Sequence, residues 1–137
     1  MRSLLILLFI PIFAYAQEDS EKAVVQLSDQ FMGLVKAEEY TKAFALLQPL
    51  WPIEESTYKN LVEQTNEQMG SVKNRFGAIV GTEYIRTEKV GDSLLRLIYL
   101  QKFEKSSLRW SITFYNPSGE WLVNSVSWDD KVGTLFE

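Results

Sequence analysis

The chain has 137 residues with no cysteine and no histidine, and its 14 basic against 18 acidic residues leave a net charge of −4 at neutral pH. Without cysteine there is no disulfide scaffold and no zinc–thiolate site, and without histidine the serine–histidine and cysteine–histidine nucleophilic mechanisms are excluded. The acidic balance disfavours nucleic acid and anionic membrane surfaces, which are bound through clustered positive charge.

Residues 1–16 read as a secretory signal peptide. Arg2 precedes the apolar run Leu4 to Ile10, and Ala14 and Ala16 stand at −3 and −1 of a cleavage point before Gln17. The run is short of the roughly 20 apolar residues that span a bilayer. The expected product is therefore free of the membrane after cleavage, in the periplasm or outside the cell. No cysteine at that point offers a lipid anchor. Residues 17–137 then form one domain, long enough for a single core.

Ser20-Glu21 supplies a capping hydroxyl and a first-turn carboxylate. Val24, Leu27, Phe31, Leu34 and Val35 follow at helical spacing, which predicts a first helix from about Glu21 to Ala37. Tyr40, Ala43, Phe44 and Leu47 make a second, shorter stripe that stops at Gln48-Pro49-Leu50-Trp51-Pro52, since proline cannot continue a helix. A third helix is expected from Glu54-Glu55, carrying Tyr58, Leu61, Val62, Thr65 and Met69, with Gly70 as its C-cap.

The remainder reads as sheet. Val80 to Val90 is a first strand, turned at Gly91-Asp92. Leu94 to Phe103 is a second, so apolar that both faces are expected to be covered, which places it mid-sheet. From Leu108 the apolar residues Leu108, Trp110, Ile112 and Phe114 alternate with Arg109, Ser111, Thr113 and Tyr115, the mark of a strand with one buried face. Asn116-Pro117-Ser118-Gly119 makes a turn. The return strand carries Trp121 and Val123, then Val126 and Trp128, and the phase jump at Asn124-Ser125 predicts a bulge. Helices first and antiparallel strands after give an α+β fold with three helices on one face of a curved four-stranded sheet.

This order resembles the nuclear-transport-factor-2-like superfamily of cone-shaped α+β domains, and within it the small secreted bacterial branch of unknown function. Glu39-Tyr40-Thr41-Lys42-Ala43-Phe44 is similar to its junction between helices 1 and 2. Gly70-Ser71-Val72-Lys73-Asn74-Arg75 is similar to its Gly-x-Val-x-x-Arg passage into the first strand, and Ser118-Gly119-Glu120-Trp121-Leu122-Val123 to its last hairpin. The resemblance implies a cone with a pocket between helices and sheet, used as an active site, used for a ligand, or filled. It also implies a tendency to pair through the outer sheet face.

Little catalytic chemistry is visible. A metal site would have to be all oxygen, and Glu38-Glu39, Glu54-Glu55 and Asp129-Asp130 lack a calcium-loop pattern. Ser56-Thr57-Tyr58-Lys59 fits Ser-x-x-Lys but has none of the companion motifs of penicillin-interacting enzymes. A tuned general base needs burial and a positioned partner. None of the aspartates (Asp19, Asp29, Asp92, Asp129, Asp130) is expected mid-strand facing the pocket, and Glu83, Glu88 and Glu104 fall near strand ends or in an edge strand.

Two binding surfaces remain. Phe31, Phe44, Trp51 and Tyr58 from the helices face Leu97, Tyr99, Trp110 and Phe114 from the sheet, a lining suited to a small apolar molecule; an ordinary packed core accounts for the same stripes. Arg96 lies between Leu94 and Ile98 on the other face, where a charge needs a partner or an interface. With Thr113 and Tyr115 it suits a protein contact such as a homodimer through the sheet; an exposed, solvated face accounts for the same residues equally well. The sequence thus points to an exported, non-catalytic binding or interaction module needing no cofactor or metal. The alternatives are a proton-transfer enzyme of the isomerase or dehydratase type in the same pocket, and a protein inhibitor or assembly factor acting through the outer sheet face.

Overall fold

The structure, a computed structural model, describes residues 12–137, with side chains from Asp19 onward. The expected signal sequence falls largely outside the described residues. Helices α1 (Ile12–Lys36), α2 (Tyr40–Leu47) and α3 (Glu55–Phe76) precede strands β1 (Ile79–Val90), β2 (Leu94–Phe103), β3 (Ser107–Tyr115) and β4 (Leu122–Asp129). Short 3-10 turns follow α2 at Gln48–Leu50 and β4 at Val132–Phe136. The strands pair in chain order as an antiparallel meander, so the α+β order expected from the sequence is the one observed.

Two helix boundaries differ from expectation. α1 begins at Ile12 rather than near Glu21, since the sequence from Ile12 to Ser20 has no glycine or proline to stop a helix. α3 runs through Gly70 to Phe76. Its stripe continues past the glycine, with Thr65, Met69 and Val72 buried and Phe76 packed on the core, and a glycine inside a helix costs only about 1 kcal/mol. The helix stops at Gly77, whose φ of 85° is easy for glycine alone. Between α1 and α2 the chain reverses through Glu38 at φ 60°. There the Glu38 N–H donates to the Val35 carbonyl and the Glu39 N–H to that of Leu34, both at 2.9 Å. The Glu38 carboxylate meets Lys73 of α3 at 3.0 Å and ties the reversal to the third helix.

The predicted bulge in β4 is present. Thr113 pairs with Ser125 and Phe114 with Val123, leaving Asn124 as the extra residue. It holds Trp121, Val123, Val126 and Trp128 toward the core despite the phase jump. A second bulge, in β1, leaves Ile85 between the pairs Tyr84–Tyr99 and Arg86–Ile98. The expectation that β2 is covered on both faces needs correction. β2 is interior in the strand order, but Leu94 and Arg96 are exposed on the face away from the helices, where no second layer lies among the described residues. Ile98 is buried on that face, with Arg86 and Ser111 opposite it in the adjacent strands.

The core is aromatic and centred on Trp110. Its ring lies 5.6 Å from Phe31, stacks on Tyr40 at 6.4 Å, and lies 6.4 Å from Phe44 and 6.1 Å from Trp128. Gln101 is fully buried beside it, and its amide is satisfied on both sides. The Trp110 Nε1–H donates to Gln101 Oε1 at 2.8 Å, and Gln101 Nε2–H donates to the Tyr40 hydroxyl at 2.9 Å. This chain of bonds joins α2, β2 and β3 inside the apolar core, where an unpaired amide would be costly. Burial pushes the Tyr40 hydroxyl pKa up, against the lowering effect of its bond with Gln101.

Candidate functional site

On the helix side of the sheet, the residues expected to line an apolar pocket are brought together and pack on one another. Phe31, Phe44, Leu97, Trp110 and Phe114 are completely buried, and Tyr58 and Tyr99 nearly so. Phe31 meets Phe44 edge-on at 5.5 Å, Phe44 stacks with the half-buried Trp51 at 6.4 Å, and Trp51 meets Tyr58 edge-on at 6.1 Å. Their surfaces are therefore spent on each other.

Tyr99 is the exception in chemistry, because its hydroxyl reaches out of the core and donates to Asp29 Oδ1 of α1 at 2.7 Å. Burial and this bond to a carboxylate push the Tyr99 pKa far up, so the hydroxyl stays a donor. Asp29 is exposed and sits on a helix rather than in the aromatic cluster. The pair is a donor–acceptor couple that ties β2 to α1. Among the described residues, no group of three or more carboxylates converges to hold a metal ion.

The opposite face of the sheet is built differently. Strand alternation puts short hydroxyl residues on its floor, namely Ser111 and Thr113 of β3 and Ser125 and Ser127 of β4, in the cross-strand pairs Thr113–Ser125 and Ser111–Ser127. Arginines rise around them from three strands: Arg86 of β1, Arg96 of β2 and Arg109 of β3. Small residues between long ones leave a groove of about 540 Å³, to whose lining Thr134 and Glu137 also contribute.

Each arginine is fixed in a different way. Arg109 forks onto its cross-strand partner Asp129, with Nε–H donating to Oδ1 at 3.2 Å and Nη2–H to Oδ2 at 2.6 Å, and Nη1–H donates to the Thr134 hydroxyl. Arg86 donates through Nε to Glu88 at 3.2 Å and through Nη1 to the Leu135 carbonyl at 3.0 Å. Arg96 donates through Nη2 to the other oxygen of Glu88 at 2.9 Å, and its side chain stays 52% exposed. Hydrogen bonds from Arg96 and then Arg86, against the opposing effect of burial, hold the Glu88 carboxyl below the usual range. Burial alone would raise Asp129, but the bonds from Arg109 and from the Lys131 backbone N–H at 2.9 Å outweigh it.

One row along the strands the floor turns apolar. Val90, Leu94, Tyr115 and Leu122 are successive cross-strand partners, and Val90, Leu94 and Tyr115 are all exposed. A smaller hollow of about 160 Å³ lies beside this row, between Val90, Leu94, Arg96 and Thr113. Arg96, Thr113 and Tyr115, named from the sequence as an outer-face set, do share this face. Arg86, Glu88, Arg109 and Thr134 were not read as its neighbours. Arg109 was visible on the off-core phase of β3, whereas Arg86 is assigned to this face only once the bulge at Ile85 is known.

Compared with protein-family models, curated proteins and solved structures, the chain gives no match.

Proposed function

We propose that the protein is an exported, non-catalytic binding module that works through the outer face of its sheet, in keeping with the interaction role expected for Arg96, Thr113 and Tyr115. The observation that carries this reading is the groove itself: a face that no second layer covers among the described residues, hollowed over hydroxyls and walled by three arginines. Arginine and tyrosine are the residues that interfaces favour, and a concavity with an apolar strip beside it gives both grip and orientation. The aromatic interior offers less to a ligand, since five of its eight expected lining residues have no exposed surface. Kinship with the nuclear-transport-factor-2-like domains belongs to the same proposal, supported by the helices-first order and the meander that follows.

Native mass spectrometry of the protein, recovered gently from its host's exported fraction, tests the reading. It predicts a chain starting at Gln17 and carrying a second species that Arg96→Glu releases. A bound small molecule retained by Arg96→Glu would move the site to the interior and contradict it.

A further inference from the structure

The geometry points to a definite occupant for the groove: an extended, acidic segment of a partner protein, its carboxylate held by Arg96 and an apolar residue two positions away resting on Leu94 and Tyr115. This rests on the outer face being the recognition surface, and adds the chemistry of what is recognised.

Three observations lead there. The first is unspent donor capacity. A guanidinium has five N–H donors, and among the described residues Arg96 uses one, on Glu88. Around Glu88 two guanidiniums meet one carboxylate; Glu137 and the Arg109–Asp129 pair complete the charges of the groove, so what draws a carboxylate is the open donor edge of Arg96. The floor hydroxyls of Ser111, Thr113, Ser125 and Ser127 stand beside this site as further donors.

The second is the use the chain already makes of the groove. Its own C-terminal turn lies against the neighbouring arginines as a peptide ligand would. The Leu135 carbonyl accepts from Arg86, the Thr134 hydroxyl accepts from Arg109, and Glu137 joins the lining. Arg86 and Arg109 thus hold peptide oxygens, and Arg96 is the wall residue left open to another segment.

The third is spacing. Same-face positions of an extended chain repeat about every 6.6–6.8 Å, which is also the step from the Arg96 row to the Leu94 row on β2. A segment lying along the strands with an acidic residue over Arg96 therefore brings its next same-face residue over the exposed Val90–Leu94–Tyr115 strip. Such a segment reads as acidic–x–apolar. A carboxylate gripped by an arginine fork supplies selectivity, and the apolar contact supplies most of the buried area.

The test is a two-dimensional NMR titration of the isotopically labelled protein with acetyl-Ser-Glu-Ser-Val-Ser-amide, run beside its counterpart with glutamine in place of glutamate. The acidic peptide is expected to bind about tenfold more tightly, more weakly as salt is raised, and to shift amides of Arg96, Thr113, Ser125, Leu94 and Tyr115. Arg96→Ala is expected to remove the preference for glutamate, Arg96→Lys to keep part of it, and Leu94→Ser to weaken both peptides alike. Equal binding of the two peptides, shifts confined to the helices, or no shift with either peptide would overturn the proposal. So would a dimer whose interface covers the same rows, since a second copy would then be the occupant. If the peptides fail while native mass spectrometry still finds a species released by Arg96→Glu, only the acidic-segment chemistry falls. If both fail, the reading of the face falls with it.

Discussion

Replacing Trp110 with alanine removes the ring on which four aromatic side chains converge, those of Phe31, Tyr40, Phe44 and Trp128. The transfer and cavity cost of such a deletion is about 3–5 kcal/mol. A second cost comes from Gln101, whose Oε1 would lose the one donor it has among the described residues, at a fully buried position. Leaving a buried acceptor unpaired adds about 1–3 kcal/mol. Together these approach the whole stability of an ordinary domain, roughly 5–15 kcal/mol. Trp110→Phe separates the two contributions, because it keeps most ring contacts and still orphans Gln101; about 2–3 kcal/mol is expected from it. Urea unfolding followed by circular dichroism measures both variants, with an unchanged m-value showing that the same cooperative unit unfolds. A loss below about 1 kcal/mol for Trp110→Ala, the size of an average substitution, would refute the placement of Trp110 at the centre of a packed core.

Other consequences follow from single positions. Gly70→Ala, inside α3 with nothing beyond its own helix backbone within 4 Å of an added Cβ among the described residues, should stabilise the protein by about 0.5–1 kcal/mol. Gly77→Ala, at φ 85° and with Glu104 Oε2 2.8 Å from the new Cβ, should destabilise it, and equal signs in thermal melts would contradict the helix end. Tyr99→Phe should cost about 1 kcal/mol through loss of the bond to Asp29. Because the folded-state pKa of Tyr99 is raised, the stability it gives is complete below the ordinary tyrosine value of 10.0 and fades as pH rises above it, which alkaline unfolding curves would show. Glu88 and Asp129 have lowered pKa values, so their contribution is present above the usual carboxylate range and is lost only as pH falls through the depressed values. Carbon-detected NMR titration should find Glu88 below 4.5 and see Arg96→Ala move it upward.

What the sequence disclosed was whatever burial writes into a period. Leu108 to Phe114 alternate because one face of β3 is packed, and the phase jump at Asn124 exposed a bulge because tryptophan and valine had to stay inside. Gly70 misled because glycine marks helix ends by its freedom at positive φ, yet Gly70 is helical and the positive φ falls at Gly77. The outer groove was half legible. Arg96 stood out among leucines, but the groove depends on which residues lie across from it. Strict alternation would leave Tyr84, Arg86 and Glu88 on one face, whereas the bulge at Ile85 sends Tyr84 to Tyr99 and Arg86 to Ile98. The return of Thr134 and Leu135 onto the arginines is a tertiary contact with no local pattern.

The central claim, that recognition occurs on the outer sheet face, is tested most directly by photo-crosslinking in the living host. A photoreactive amino acid would be placed at Thr113, on the groove floor, and in a second strain at Glu67, on the exposed side of α3. The account predicts one adduct of defined mass from position 113, suppressed by Arg96→Glu, and none from position 67. Adducts from position 67 alone, or from position 113 with no response to Arg96→Glu, would contradict it.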